Sequence, residues 1–166
     1  VAAQIDGVSV AGAVADVAGG EIYSAALGRG ADLIVDGRRR RLRCNAIDDL
    51  AMALVGTGFG YERQRRAAQA ALLAHVLPAV RDVRRIGSAA LDLCMVAAGR
   101  LDAHYEHGLH VWDWAAGALI AAEAGALVVL PGDDGDGAAL LVAAAPGIAS
   151  QLIAALDRHG GLRPLA

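Results

Sequence analysis

Lysine is missing altogether: all 15 basic side chains are arginine, which points to an arginine-biased, GC-rich coding sequence rather than to a function. Aromatic residues are scarce at 4%, so any core must be built mainly from Ala, Val and Leu. With 166 residues, 56% of them hydrophobic, the chain is still long enough for one domain with a real core. Only two cysteines occur, Cys44 and Cys94. They lie far apart and fit neither a disulfide framework nor a metal-ligand spacing, so a reducing, cytoplasmic compartment is the default expectation. Cys94 falls in an apolar helical stretch and reads as a small buried side chain. No apolar run is long enough to span a bilayer, and no stretch has the pattern of a signal peptide. A net charge of -3 lacks the basic footprint of a general nucleic-acid binder.

An initiator methionine is absent as well. The chain starts at Val1 inside a strand pattern, so an N-terminal portion is expected to precede it. Val1 to Ile5, the turn Asp6-Gly7, and Val8 to Val17 predict a hairpin. Gly19-Gly20 separates a third strand, Glu21 to Leu27, which Gly28-Arg29-Gly30 ends. Asp36-Gly37 is a further turn before a strand from Arg38 to Cys44. The arginines of 38–41 alternate between faces on a strand, so they read as a solvated edge, not a phosphate-binding cluster. Ala51 to Val55 predicts a short strand, and Gly56-Thr57-Gly58-Phe59-Gly60 a flexible loop. That loop is weak evidence for phosphate binding, because it lacks a Lys-Ser/Thr ending.

From Glu62 the pattern changes. Glu62 to Leu77 is a helix stopped by Pro78, Arg81 to Ile86 a strand, and Gly87-Ser88 opens a helix through Ala98. Strands at Leu101 to Tyr105, Ala126 to Leu130 and Leu140 to Ala144 then alternate with a helix at Asp113 and a last one from Gly147 to about His159. The expected architecture is an α/β (α+β) layered fold, with a truncated antiparallel sheet followed by an α/β layer with flanking helices. The expected division is 1–60 for the remainder of the antiparallel sheet region and 61–166 for the C-terminal α/β part.

The chain is organised around Glu106 to Gly125. A carboxylate in a polar turn, Glu106, is followed by Trp112 and by Asp113 directly ahead of the apolar run Ala115 to Ala124. An Asp at a helix start is usually a plain N-cap. The same position also suits a carboxylate holding a cation beside the helix N-terminus, where a phosphate is welcome. Ser88 reads first as another N-cap. His104, His107 and His110 form a zinc-like series, but their three-residue steps, interrupted by Gly108, do not match a helical His pair. Asp133-Asp134-Gly135-Asp136 resembles a calcium loop without the bidentate Glu, so a solvated turn is the simpler reading.

Trp112-Asp113-x-Ala115-Ala116-Gly117 with Glu123-Ala124-Gly125 resembles the C-terminal signature of the inositol monophosphatase family. Arg85-Ile86-Gly87-Ser88-Ala89-Ala90, Cys94-Met95-Val96-Ala97-Ala98-Gly99 and Leu101-Asp102-Ala103-His104-Tyr105-Glu106 follow in family order and at family spacing. The chain is similar to roughly the C-terminal three-fifths of the bacterial inositol-1-monophosphatase type. The resemblance implies a magnesium-dependent, lithium-sensitive phosphatase of small phosphorylated alcohols that commonly dimerises. It implies that Gly87, Ser88 and Ala89 line the substrate pocket, that Glu106 accepts a hydrogen bond from a substrate hydroxyl, and that Asp113 binds a magnesium ion. His110 matches a family position but reads as supporting or packing.

Magnesium is wanted because a phosphomonoester is multiply anionic and repels a water nucleophile unless cations neutralise it. One aspartate cannot build such a site. The family's other half-site is Asp-Pro-x-Asp-Gly-Thr plus an upstream Glu, and neither motif occurs in these residues. No water-activating catalytic residue is therefore assigned within this chain, which is expected to be inactive alone. The complete protein is expected to hydrolyse inositol-1-phosphate with Mg2+, as a cytoplasmic homodimer with a phosphorylated polyol as its small-molecule partner and no nucleic-acid or membrane partner. The alternatives are histidinol phosphate, a nucleotide bisphosphate or fructose bisphosphate as substrate, or a non-catalytic binding or assembly module. Glu106 favours a small polyol, since a carboxylate is awkward beside a second phosphate.

Overall fold

A computed structural model of the chain describes residues 1–132 and 138–165. The first five strands are β1 (Ala2–Ile5), β2 (Val8–Asp16), β3 (Glu21–Ala26), β4 (Ala31–Val35) and β5 (Arg38–Arg41). They form an antiparallel meander in sequence order. Two of its turns follow from their residues: Asp6-Gly7 and Asp36-Gly37 both have positive φ, 49° and 78° at the first pair and 49° and 72° at the second. Two consecutive left-handed residues match the twist of the flanking strands, and Asp-Gly tolerates them.

The second part contains β6 (Leu54–Thr57), α1 (Arg63–Val76), β7 (Asp82–Arg84), α2 (Ala89–Ala97), β8 (Ala103–His107), α3 (Val111–Glu123), β9 (Leu127–Val129), β10 (Leu140–Ala144) and α4 (Pro146–Arg158). Its sheet has the order β7-β6-β8-β10-β9. β6 runs parallel to β7 and β8, and β10 runs antiparallel to β8 and β9. The layered α/β architecture read from the sequence is present. Strand β6 lies before residue 61 yet pairs inside this second sheet.

Four local expectations are corrected. The strand expected over Arg38 to Cys44 stops at Arg41, because Leu42 turns inward to 2% exposure and the Cys44 N–H is drawn to the Ala124 carbonyl at the end of α3. The strand expected at Ala51 to Val55 is instead a 3-10 turn, Leu50–Met52, followed by β6. Asp49 explains the turn, since its carboxylate accepts the Ala51 N–H at 2.9 Å. Gly56-Thr57, expected in a loop, belongs to β6. Strand β8 starts two residues later than expected, because the Asp102 carboxylate is occupied as a bracket, accepting from Asn45 Nδ2 and from the Leu54 N–H, both at 2.7 Å.

Helices α2 and α3 form a middle layer between the sheets. One side packs Cys94, Ala97, Leu119 and Ile120 against Tyr23, Leu33 and Leu42. The other packs Leu93, Val96 and Ala118 against Leu101 and Leu141. Helices α1 and α4 cover the far face of the second sheet, with Leu72, Ile148 and Leu152 on Val55, Tyr105 and Val142. The alanine-rich composition has a geometric use here, since small side chains let backbones approach. A Cβ on Gly12 would stand 3.0 Å from Ala116 Cα, and one on Gly117 2.9 Å from Leu93 Cβ. Polar ties complete the join: Glu123 accepts the Gly28 and Gly30 N–H groups at 2.7 and 2.6 Å, and Arg100 grips Glu21 with both terminal nitrogens. The arginines of β5 are exposed, and Asp32 pairs with Arg39 and Arg41. No helix among the described residues is long and apolar enough to cross a membrane.

Candidate active site

Parallel strands β6 and β8 end on the same side of the sheet, and the chain leaves each of them there into a loop. In an α/β layer, ligands collect beyond those carboxyl ends. A cleft of about 590 Å³ opens at this place. Its walls are the loop after β6, the first turn of α1, the start of α2, and the segment from Glu106 to Asp113. Gly87, Ser88, Ala89, Glu106 and Asp113, separated by up to 26 positions in sequence, all line it.

Ser88 is the N-cap of α2, and its Oγ accepts the Leu91 N–H at 3.4 Å. A capping hydroxyl keeps its own O–H for another partner. Gly87 precedes it with φ +98, a conformation other residues rarely adopt.

Asp113 is not the N-cap expected from its position. Helix α3 starts at Val111 with His110 as its cap, and Asp113 is the third helical residue. Its Oδ2 reaches back to accept the His110 N–H at 2.9 Å, the second half of a capping box. The helix thus starts two residues before Asp113, and Trp112 lies on its surface, stacked on the His110 ring at a centroid distance of 4.5 Å. The loop side of the cleft is fixed too: the Gly60 N–H donates to Gln69 Oε1 at 2.9 Å. This is a tethered segment, not the free glycine loop read from the sequence.

The three histidines of the zinc-like series diverge. His104 is buried beside Asp92 and Glu106, His107 bonds the Gly161 carbonyl through Nε2 at 2.8 Å, and His110 stacks on Trp112. Burial holds the His107 ring below its usual range. The acidic stretch Asp133 to Asp136 lies outside the described residues.

Sequence reasoning passed over Asp92, and it read His104 only in the zinc-like series and Gly56 and Gly58 only as parts of a loop, not as facing one another. Asp92 is 1% exposed, and its burial pushes the carboxyl up to about 6, with the neighbouring His104 lowering it and Glu106 raising it. The available signal was the pairing of two alternations: Gly56 in β6 and Gly58 just past its end, His104 and Glu106 on the neighbouring β8. Arg65 and Arg85 also line the cleft and were not singled out.

A magnesium ion prefers a near-octahedral set of oxygen ligands. The cleft offers Asp113 as one hard ligand, and among the described residues no group of three or more His, Cys, Asp and Glu side chains could hold a metal. The residues present do not by themselves fit a catalytic metal centre.

The family model described as "Inositol monophosphatase family" matches residues 1–160. The "Inositol-1-monophosphatase" of Mycobacterium leprae is 68% identical over 167 residues, which cover 99% of this chain. The protein named "Nus factor SuhB" from Pasteurella multocida is 39% identical over 92% of the chain. The chain spans 57% of the length of each of these relatives. The solved structure of Mycobacterium tuberculosis SuhB superimposes with a TM-score of 0.91 at 64% identity, covering 98% of this chain and 64% of that one.

Proposed function

The chain belongs to the inositol monophosphatase family, and from that premise we propose that it supplies the alcohol-binding wall and one metal ligand of a Mg2+-dependent phosphomonoesterase. The observation that carries this reading is the convergence of Gly87, Ser88, Ala89, Glu106 and Asp113 in one cleft beyond the ends of β6 and β8. Substrate is inositol-1-phosphate or a similar small phosphorylated polyol. Glu106 accepts a hydrogen bond from a ring hydroxyl, while Ser88 and the backbone at the start of α2 meet the others. Asp113, whose Oδ2 accepts the His110 N–H, would supply a carboxylate oxygen to a magnesium ion.

Magnesium, when bound, polarises the phosphoryl oxygens and acidifies the attacking water. The remaining ligands and the water-positioning group belong to the Asp-Pro-x-Asp-Gly-Thr half-site, which these 166 residues do not contain. Hydrolysis is therefore an activity of the full-length protein, and the chain alone does not turn over substrate. Lithium sensitivity, a homodimer and a cytoplasmic location complete the proposal.

Phosphate release by the full-length protein tests it, with inositol-1-phosphate compared against histidinol phosphate, a nucleotide bisphosphate and fructose bisphosphate, with and without Mg2+. Inositol-1-phosphate should be preferred and Mg2+ required. Glu106→Gln should raise KM about tenfold, the worth of a hydrogen bond to a charged group. Preference for a bisphosphate would move the assignment to that alcohol. A second reading, an assembly role without catalysis, draws on the Pasteurella multocida relative named "Nus factor SuhB". Full-length protein that folds and binds Mg2+ but hydrolyses none of the four substrates would favour it.

A further inference from the structure

Asp92, His104 and Glu106 form a line from the interior to the cleft, and three polar atoms along it have no hydrogen-bond partner among the described residues: Asp92 Oδ1 and both ring nitrogens of His104. His104 is wholly buried. Its Nδ1 lies 3.9 Å from Asp92 Oδ1, and its Nε2 lies 3.5 Å from Glu106 Oε2. Orphaned buried polar atoms are rare and costly, so three in one row call for a cause.

Glycine makes the space they occupy. Gly56 of β6 sits opposite His104 in the parallel ladder. A Cβ there would stand 2.9 Å from Asp92 Oδ1 and 3.1 Å from His104 Nδ1. At Gly58 a Cβ would overlap the Glu106 carboxylate, at 2.1 to 2.2 Å from its atoms. Glycine in a strand interior weakens it and often marks a close approach. Here the two glycines clear a passage for all three groups.

Hydrogen-bond chemistry then decides the arrangement. A neutral imidazole has one N–H. Between two ionised carboxylates it would leave one nitrogen lone pair facing an oxygen lone pair. One further proton removes the conflict, and it belongs at the Asp92 end, on Nδ1 or on the Asp92 carboxyl, rather than on Glu106, because Asp92 is the more deeply buried carboxylate, with its side chain 1% exposed against 13% for Glu106. In either state Nε2 carries an N–H directed at Glu106. Desolvation of Asp92, which favours its protonated form, works in the same direction. Arg85 is the other charge acting on Asp92, and it opposes that trend.

We propose that Asp92 and His104 are positioning residues that hold the imidazole Nε2–H on Glu106 Oε2, so that Glu106 presents Oε1 to a substrate hydroxyl. This rests on the reading of Glu106 as the hydroxyl acceptor. Neither Asp92 nor His104 touches the substrate. The gaps of 3.5 and 3.9 Å close when ligand fills the cleft, as hydrogen bonds of active sites commonly tighten in their complexes.

Two measurements test the proposal. The ring tautomer of His104, read from ¹⁵N spectra of the folded wild-type chain, should show Nε2 protonated. A proton on Nδ1 with Nε2 as a bare acceptor would overturn the proposal, and this readout needs neither substrate nor catalysis. In the full-length protein, His104→Phe should raise KM for inositol-1-phosphate roughly tenfold or more, with kcat moved less. His104→Gln, whose amide can still donate to Glu106, should recover part of that loss. Equal effects of Phe and Gln, or a KM within twofold of wild type in both, would overturn it. A wild-type protein that hydrolyses nothing would sink the phosphatase reading and leave the tautomer to decide this one.

Discussion

Substituting Gly58 by alanine should damage the site while leaving the fold intact. Gly58 does not have a positive φ, so its backbone accepts a side chain. The new Cβ would lie 2.1 Å from Glu106 Oε1 and 2.2 Å from its Cδ and Oε2, where ordinary contact begins at 3.4 Å. The obstacle is the far end of a flexible side chain, so Glu106 retreats by about 1.2 to 1.3 Å and the backbone stays in place. A reacting or binding group displaced by about 1 Å can lose on the order of 100-fold in rate. Stability should change by less than about 1 kcal/mol, because removing a glycine also stiffens the unfolded chain by ~0.4–1 kcal/mol. The assay pairs thermal unfolding of the 166-residue chain with initial rates of phosphate release by the full-length protein. The expected result is an unchanged Tm with kcat/KM for inositol-1-phosphate lowered roughly 10- to 100-fold. An unchanged kcat/KM in a protein of unchanged Tm would refute the argument, since Glu106 would then have moved without consequence.

Gly147→Ala should do the reverse: its Cβ would lie 2.4 Å from the Ile47 carbonyl oxygen, a backbone atom that cannot step aside, so urea unfolding should show a loss of about 1–3 kcal/mol. Asp92 should make stability fall with rising pH. A carboxyl raised from 3.8 to about 6 contributes fully below pH 4 and loses that contribution as pH rises through 6, about 3 kcal/mol in all; Asp92→Asn should flatten the urea-unfolding profile between pH 4 and 7. Glu21 has the opposite sign, because hydrogen bonds from Arg100 and Tyr23 hold it down at about 2. Its contribution is present above pH 4.5 and is lost as pH falls toward 2, so Arg100→Gln should lessen the acid sensitivity measured by circular dichroism.

Local chemistry made much of the fold legible. Asp6-Gly7 and Asp36-Gly37 announce their hairpins because two left-handed residues in a row suit few other pairs. Gly87-Ser88 announces α2, since a glycine with positive φ followed by a capping hydroxyl has few other uses. The errors arise where a tertiary partner decides the outcome. Leu42 leaves its strand for the core, and the Cys44 N–H leaves it for α3. Asp113 sits inside the helix with its carboxylate on the His110 N–H, and the exposed Trp112 occupies the first turn, which hydrophobicity alone opposes. The line Asp92–His104–Glu106 was illegible for a different reason. Its members lie on a helix and a strand, and the space they share is created by two glycines more than 30 positions upstream of them.

The central claim is that this chain holds the alcohol wall and one metal ligand but not the whole catalytic centre. The most direct measurement is phosphate release from inositol-1-phosphate with excess Mg2+, comparing the 166-residue chain, the full-length protein and an Asp113→Asn variant of each. The folded chain should show no turnover, and the full-length protein should show turnover that Asp113→Asn abolishes. Turnover by the 166 residues alone, lost in their own Asp113→Asn variant, would contradict the central claim and place the missing metal ligands within this chain.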